Sequence, residues 1–227
     1  MSFFLCIETS GKTASVAIVQ KGACVAQEIN VQLNEHAAFL QPAIQKMLQY
    51  ADLSIADLDA VSVSIGPGSY TGLRVGLASA KGICFALQKP LITINTLTIM
   101  AYAAREQLIR DSIQCDYLVP MIDARRNEVF TAAYDLNLNF VIEPQPLILN
   151  EDSYNDLMHG SINFFGDGAT KWRPQCSLSK AIFSDIHVTA SMMSVLTEQA
   201  FNKKNFAPLH STIPYYGKEF YTTAVRN

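Results

Sequence analysis

Residues 66–82 read GPGSYTGLRVGLASAKG, and they constrain the fold more than any other segment. Gly66-Pro67-Gly68 predicts an abrupt end to a strand, because the glycines tolerate positive φ and the proline fixes its own. Ser69 or Thr71 then caps a helix. Leu73, Leu77, Ala80, Cys84 and Leu87 recur at three- or four-residue steps, an apolar stripe suited to a core. Gly72 and Gly76 share one face of that helix and leave it without side chains. Glycine inside a helix costs roughly 1 kcal/mol relative to alanine, so two of them imply close approach by another backbone. Either the protein's own sheet or a second chain satisfies the spacing. Phosphate at the helix start is a third option, weakened by the missing Lys-Ser/Thr of a P-loop and the missing G-x-G-x-x-G.

Around this segment the first third predicts β-β-β-α-β-α. Strands fall at 3–7, 14–19 and 24–31, and a helix at 35–50 carries the stripe Leu40, Ala43, Ile44, Met47 and Leu48. Pro42 is expected to loosen or kink its N-terminal portion. A strand at 58–65 precedes the glycine helix, which runs to about Leu87; a strand at 91–94 and a helix at 96–108 follow. The second half restarts with strands at 117–122, 128–134, about 140–142 and 162–165, the last ending in Gly166-Asp167-Gly168. Thr189 offers an N-cap for a helix at 191–203 with Met192, Val195, Leu196 and Phe201 on one stripe. This repeated order predicts an α/β chain of two lobes, 1–105 and 106–227, each a mixed sheet flanked by helices. The helix at 191–203 is free to pack back on the first lobe.

Charge narrows the function. Seventeen basic and twenty acidic residues give a net charge of −3, whereas proteins that grip nucleic acid alone carry a basic excess. Arg125-Arg126 and Lys203-Lys204 are too small for that task. Five scattered cysteines without a C-x-x-C pair indicate a reducing compartment. The opening MSFFLCIETS lacks a basic n-region and reads as a buried strand, and no apolar run approaches membrane-spanning length. The expectation is a cytoplasmic protein without membrane contact.

Three loops suggest a nucleotide site. Glu8, Thr9, Ser10, Gly11, Lys12 and Thr13 lie between the first two strands; Asp123-Ala124-Arg125-Arg126 occupies the parallel place in the second half; Gly166-Asp167-Gly168 follows a strand. Each alone reads as an ordinary turn. Nothing suggests a peptidase, since H-E-x-x-H and any Ser/His/Asp or Cys/His arrangement are absent. His36, His159, His187 and His210 form no i, i+4 pair.

The segments IETSGKTASVAI at 7–18, EHAAFLQPAI at 35–44, 66–82, MIDARRNEVFTAAY at 121–134 and FGDGATK at 165–171 resemble the bacterial TsaB (YeaZ) family. That resemblance implies an actin-like, sugar-kinase-like (ASKHA, ribonuclease H-like) two-lobe fold. It further implies a non-catalytic scaffold for making threonylcarbamoyladenosine in tRNA, paired with the larger catalytic paralogue TsaD. The pairing surface would be the two helices of the first lobe, with His36, Leu40, Gly72, Arg74, Val75, Gly76 and Ser79. TsaD carries two metal-ligating histidines four apart; the matching positions here are Thr96 and Met100, poor replacements for paired imidazoles. Members usually carry Asp where this chain has Glu8, and the paralogue's following acidic pair is replaced by Gly11-Lys12. The implied nucleotide site is thus degenerate: Glu8, Thr9, Ser10, Asp123, Gly166, Asp167 and Gly168. No cofactor would bind tightly and no metal would be held, while ATP or ADP at the partner interface stays open. Further expectations are a small P-loop ATPase subunit (TsaE) reached through the complex, only indirect contact with tRNA, and a weak homodimer of the isolated chain. The competing reading is an ATP-dependent small-molecule kinase or ATPase of the same superfamily, with Asp123 as general base.

Overall fold

In the computed structural model, which describes residues 2–30, 32 and 35–217, two five-stranded sheets repeat one topology. The first contains β1 (Phe3–Glu8), β2 (Ser15–Gln20), β3 (Ala23–Ile29), β4 (Ala60–Gly66) and β5 (Leu91–Asn95) in the order β3-β2-β1-β4-β5. Its helices are α1 (His36–Tyr50), α2 (Tyr70–Leu87) and α3 (Thr96–Arg110). The second contains β6 (Tyr117–Asp123), β7 (Glu128–Tyr134), β8 (Phe140–Ile148), β9 (Ile162–Phe165) and β10 (Ala181–Ser184), ordered β10-β9-β6-β7-β8. Two further α-helices lie among the described residues, α4 (Ala169–Trp172) and α5 (Ser194–Asn202). In each sheet the central strand pairs antiparallel with a hairpin partner and parallel with the strand on its other side.

The apolar run of β1 follows from burial on both faces. Leu5 and Ile7 join Leu40, Ile44, Met47 and Leu77 beneath α1 and α2. Phe4 and Cys6 face the other way, against Ile99, Ala190 and Met193. Phe4 also meets Phe201 of α5 with ring centroids 4.9 Å apart, so α5 covers the first sheet. Conversely α3 sends Leu97, Met100, Ala101 and Leu108 onto Leu118, Ala132, Tyr134 and Phe165 of the second sheet. Each lobe therefore contributes a helix to the other's core, and substitution of a side chain such as Phe4 by alanine would cost about 3–5 kcal/mol. Among the described residues no helix is long and apolar enough to cross a membrane.

Several elements differ from the sequence reading. The strand expected at 140–142 extends to Ile148 through Pro144 and Pro146, because β8 is an edge strand, where a missing N–H need not break a ladder. β3 ends at Ile29, and Val31 lies outside the described residues. α1 runs unbroken through Pro42, whose ring sits on the exposed face. Thr189 makes no cap bond: residues 190–193 form a 3-10 turn, α5 begins at Ser194, and the Thr189 hydroxyl instead lies 3.0 Å from that of Ser191.

Candidate functional site

The loops that follow β1 and β4 meet in the first lobe, and those that follow β6 and β9 meet in the second. Glu8 is 1% exposed; its Oε1 accepts hydrogen bonds from the Ser10 hydroxyl and from the Ser10 amide at 2.6 Å. Burial pushes the Glu8 carboxyl upward, against the opposing pull of the Ser10 and Ser64 hydrogen bonds and of His36. Its Oε2 and the Thr9 hydroxyl have no hydrogen-bond partner among the described residues. The 66–69 turn does not stay open for phosphate. The Ser69 amide donates to Ser10 O at 2.7 Å, and a Cβ on Gly68 would stand 2.4 Å from that same oxygen. As the N-cap of α2, the Ser69 hydroxyl accepts from the Gly72 amide at 3.3 Å. The two loops that each suggested an anion site thus grip one another.

In the second lobe the polar groups also satisfy each other. The Asp123 amide donates to Asp167 Oδ1 at 2.9 Å, and Asp123 Oδ1 accepts from the Arg125 amide at 2.6 Å. Lys171 caps the site, its ammonium on the Asp123 carboxylate and, at 2.7 Å, on Arg126 O. Burial raises the Asp123 carboxyl, but Lys171, the Arg125 amide and the charge of Lys12 outweigh it and hold the group below its ordinary range. A general base needs the opposite shift. Gly166 and Gly168 let β9 approach β6: added Cβ atoms would lie 2.4 Å from Met121 O and 3.0 Å from its carbonyl carbon. Met100 fills the space beside Gly166, its Cε 2.5 Å from that added atom, and Thr96 is buried with its hydroxyl unpartnered among the described residues. Among those residues no group of three or more His, Cys, Asp or Glu could hold a metal ion.

On the helix pair the glycine notch is filled from within. A Cβ on Gly72 would meet Thr9 O at 2.1 Å and His36 Cδ2 at 2.9 Å, and one on Gly76 would meet Thr9 Oγ1 at 2.2 Å. Gly72 and Gly76 therefore admit the chain's own first loop and leave no room for a second chain, which corrects the intermolecular reading of the notch. His36 and Leu40 are likewise buried, His36 with Nε2 3.1 Å from Gly11 O. Arg74 is exposed but engaged, lying over the Tyr70 ring at 4.1 Å and bonded to the Tyr216 hydroxyl at 2.8 Å. Val75 and Ser79 are half-buried.

The open surface lies further along. Gln41 and Ile55 sit between two shallow apolar depressions, one extending over Pro42, Ile44 and Gln45 and the other over Ala78, Ser79, Gly82, Ile83 and Ala86. A Cβ on Gly82 would meet nothing within 4 Å, and Phe85 beside it is 72% exposed. Sequence reasoning passed over Ala78, Gly82 and Ala86, whose helical spacing was the available signal.

Residues 24–142 match the family model described as TsaD: tRNA N6-adenosine threonylcarbamoyltransferase. The chain is 32% identical over 131 residues to the tRNA threonylcarbamoyladenosine biosynthesis protein TsaB of Bacillus subtilis, covering 57% of this chain and 54% of that protein. It is 35% identical over 153 residues to a tRNA N6-adenosine threonylcarbamoyltransferase of Chelativorans, covering 59% and 41%. The curated TsaB relatives are thus matched over about half their length. The solved structure of YeaZ from Pseudomonas aeruginosa superposes with a TM-score of 0.77 at 21% identity, over 95% of this chain and all of that one. The fold is the two-lobe, actin-like architecture, each lobe a mixed sheet flanked by helices.

Proposed function

The chain belongs to the TsaD family, in its TsaB (YeaZ) branch, and from that premise we propose that it is a non-catalytic subunit that binds and activates a TsaD-type catalytic paralogue during threonylcarbamoyl transfer to adenosine in tRNA. The observation that carries this reading is the small-residue groove over Ala78, Gly82 and Ala86 against Gln41 and Ile55. Its floor lets a second helix pair approach closely, and its apolar lining contributes about 25 cal/mol for each Å² removed from water. A paralogue of the same fold presents a matching helix pair. The same patch used twice gives a two-fold homodimer when the partner is absent.

The candidate nucleotide loops support the non-catalytic part. They are closed by the Ser69–Ser10 bond and by Lys171 on Asp123, so ATP or ADP would be held at the subunit interface and not by this chain alone. An ATP-dependent kinase would need Asp123 free and basic, and it is neither. The net charge of −3 fits a subunit that reaches tRNA through its partner, and a small P-loop ATPase such as TsaE through the assembled complex. A role in tRNA modification is consistent with work in the cytoplasm.

Gly82→Arg tests the reading. It replaces an exposed helical glycine, which favours the helix by up to about 1 kcal/mol, so the isolated chain should fold at least as well as before. With the TsaD-type paralogue it should fail to co-elute in size-exclusion chromatography and fail to support tRNA modification by the reconstituted pathway. Unchanged pairing would remove the groove as the docking site.

A further inference from the structure

After α5 the chain runs back across the molecule as an irregular strap, residues 205–217. It begins on the first sheet, where the Ala207 amide donates to Leu91 O at 2.8 Å. It then follows α2 in the opposite direction. Lys81 donates to Thr212 O at 3.1 Å, and about two helical turns towards the N-terminus Arg74 donates to the Tyr216 hydroxyl. The Arg74 guanidinium lies 4.1 Å from the Tyr70 centroid and 5.8 Å from that of Tyr216, and the two rings are 4.9 Å apart.

At its end the strap touches both lobes. The Tyr215 amide donates to Ile65 O at 2.8 Å, and its carbonyl passes so close to Gly66 that a Cβ there would stand 2.2 Å away. The Tyr215 hydroxyl donates to Pro144 O of β8 at 3.4 Å, and Gly217, at φ +73°, sits so close to the Phe130 ring of β7 that a Cβ there would stand 2.5 Å from Cε1. Glycine at both contact points, Gly66 and Gly217, is what lets the backbone come this close.

We propose that this strap is a strut: it fixes the angle between the lobes, and its Arg74–Tyr216–Tyr70 clamp ties that angle to α2. Any movement of the N-terminal turns of α2 is then transmitted through Tyr215 to the end of β4 and to the β7–β8 hairpin. The link to partner binding rests on the reading of α2 as part of a docking face. The strut itself is a property of the isolated chain and is tested there.

The test compares the full chain with Tyr216→Ala and Tyr216→Phe by amide hydrogen exchange. A second readout is the distance between spin labels at Cys24, on β3, and at Ile148→Cys, on β8, in a Cys176→Ser background. Tyr216→Ala should accelerate exchange about tenfold at the Tyr215 amide and also in β7 and β8, with a broadened inter-lobe distance. Tyr216→Phe keeps the ring contact and should fall between the two. Faster exchange confined to 212–217, with the inter-lobe distance unchanged, would show a tail merely resting on α2 and would overturn the strut. Loss of pairing in Gly82→Arg is read separately, so either idea can fail while the other stands.

Discussion

Thr9 closes the side-chain-free face of Gly76, with its Oγ1 2.2 Å from where a Cβ would be. The glycine helix is therefore held by the loop that follows β1, and its tolerance to substitution depends on what each glycine faces. Gly76 faces a side chain, since Thr9 Oγ1, Cβ and Cγ2 are the nearest atoms; Gly72 faces the Thr9 backbone oxygen at 2.1 Å.

Gly76→Ala should accordingly destabilise the chain by about 1–3 kcal/mol through overpacking. Thr9→Ala in the same chain should recover a substantial part, with a coupling of about 1 kcal/mol. Gly72→Ala should be no milder and should not be rescued, because Thr9→Ala leaves the carbonyl in place. Urea unfolding of the three single variants, the two double variants and the wild type checks this. Equal rescue of both glycines would contradict the assignment of contacts.

This pair also shows where sequence reasoning stops. The interval between Gly72 and Gly76 requires close approach, and the apolar stripes, the three central strands and the two-lobe repeat are all legible from period and turn residues. What approaches is not encoded locally: Thr9 lies far back in the chain, and nothing at 66–82 names it. The Lys171–Asp123 pair is hidden for the same reason. α4 and β10, four residues each, are too short to show a period, and the 205–217 strap has none. The groove proposed as the docking face was nearly legible, since Ala78, Gly82 and Ala86 repeat every fourth residue, but glycine drew attention to the buried face.

Glu8 carries a pH prediction. Burial raises its folded-state pKa above the 4.5 of a free glutamate, so the folded chain holds this proton more tightly than the unfolded one. The sign follows from linkage: wild-type stability is favoured at low pH and falls as pH rises from about 4.5 through the raised value. Glu8→Gln mimics the protonated acid and should gain on the wild type across that window, levelling off above it. Ser10 can still donate to the amide oxygen, which keeps the local geometry. Calorimetric melting of both proteins from acid to neutral pH is the measurement; a difference independent of pH would show that folding leaves the Glu8 pKa unchanged and would overturn the shift.

Thiol chemistry separates surface from core. Cys24 is exposed and Cys176 half-buried, whereas Cys6, Cys84 and Cys115 are buried. Burial pushes the Cys6 thiol up to about 12 and that of Cys84 to about 11, which removes the reactive thiolate at neutral pH. A maleimide should modify Cys24 fastest, Cys176 more slowly and the other three only in denaturant, as read by peptide mass spectrometry. Early modification of Cys6 would mean that α5 leaves the first sheet in the native state, because Cys6 Sγ lies 3.5 Å from the Thr197 hydroxyl on that helix.

Lys171 makes the closed state of the second-lobe loops measurable. Asp123 sits below the ordinary carboxylate value of 3.8, with burial opposing the shift and the Lys171 hydrogen bond and charge among the groups that produce it. A depressed acid stabilises the fold above its unfolded pKa, and that contribution is lost as pH falls through the folded value. The Asp123 side chain is 41% exposed, so solvent screening limits the pair to less than about 1 kcal/mol. Lys171→Met should therefore melt slightly below the wild type at pH 7, and the gap should narrow below pH 3.8. Carboxyl NMR should show the Asp123 titration moving upward in the variant. If Asp123 titrates at the same pH with and without Lys171, the ammonium is not what occupies this carboxylate and does not close the second-lobe loops.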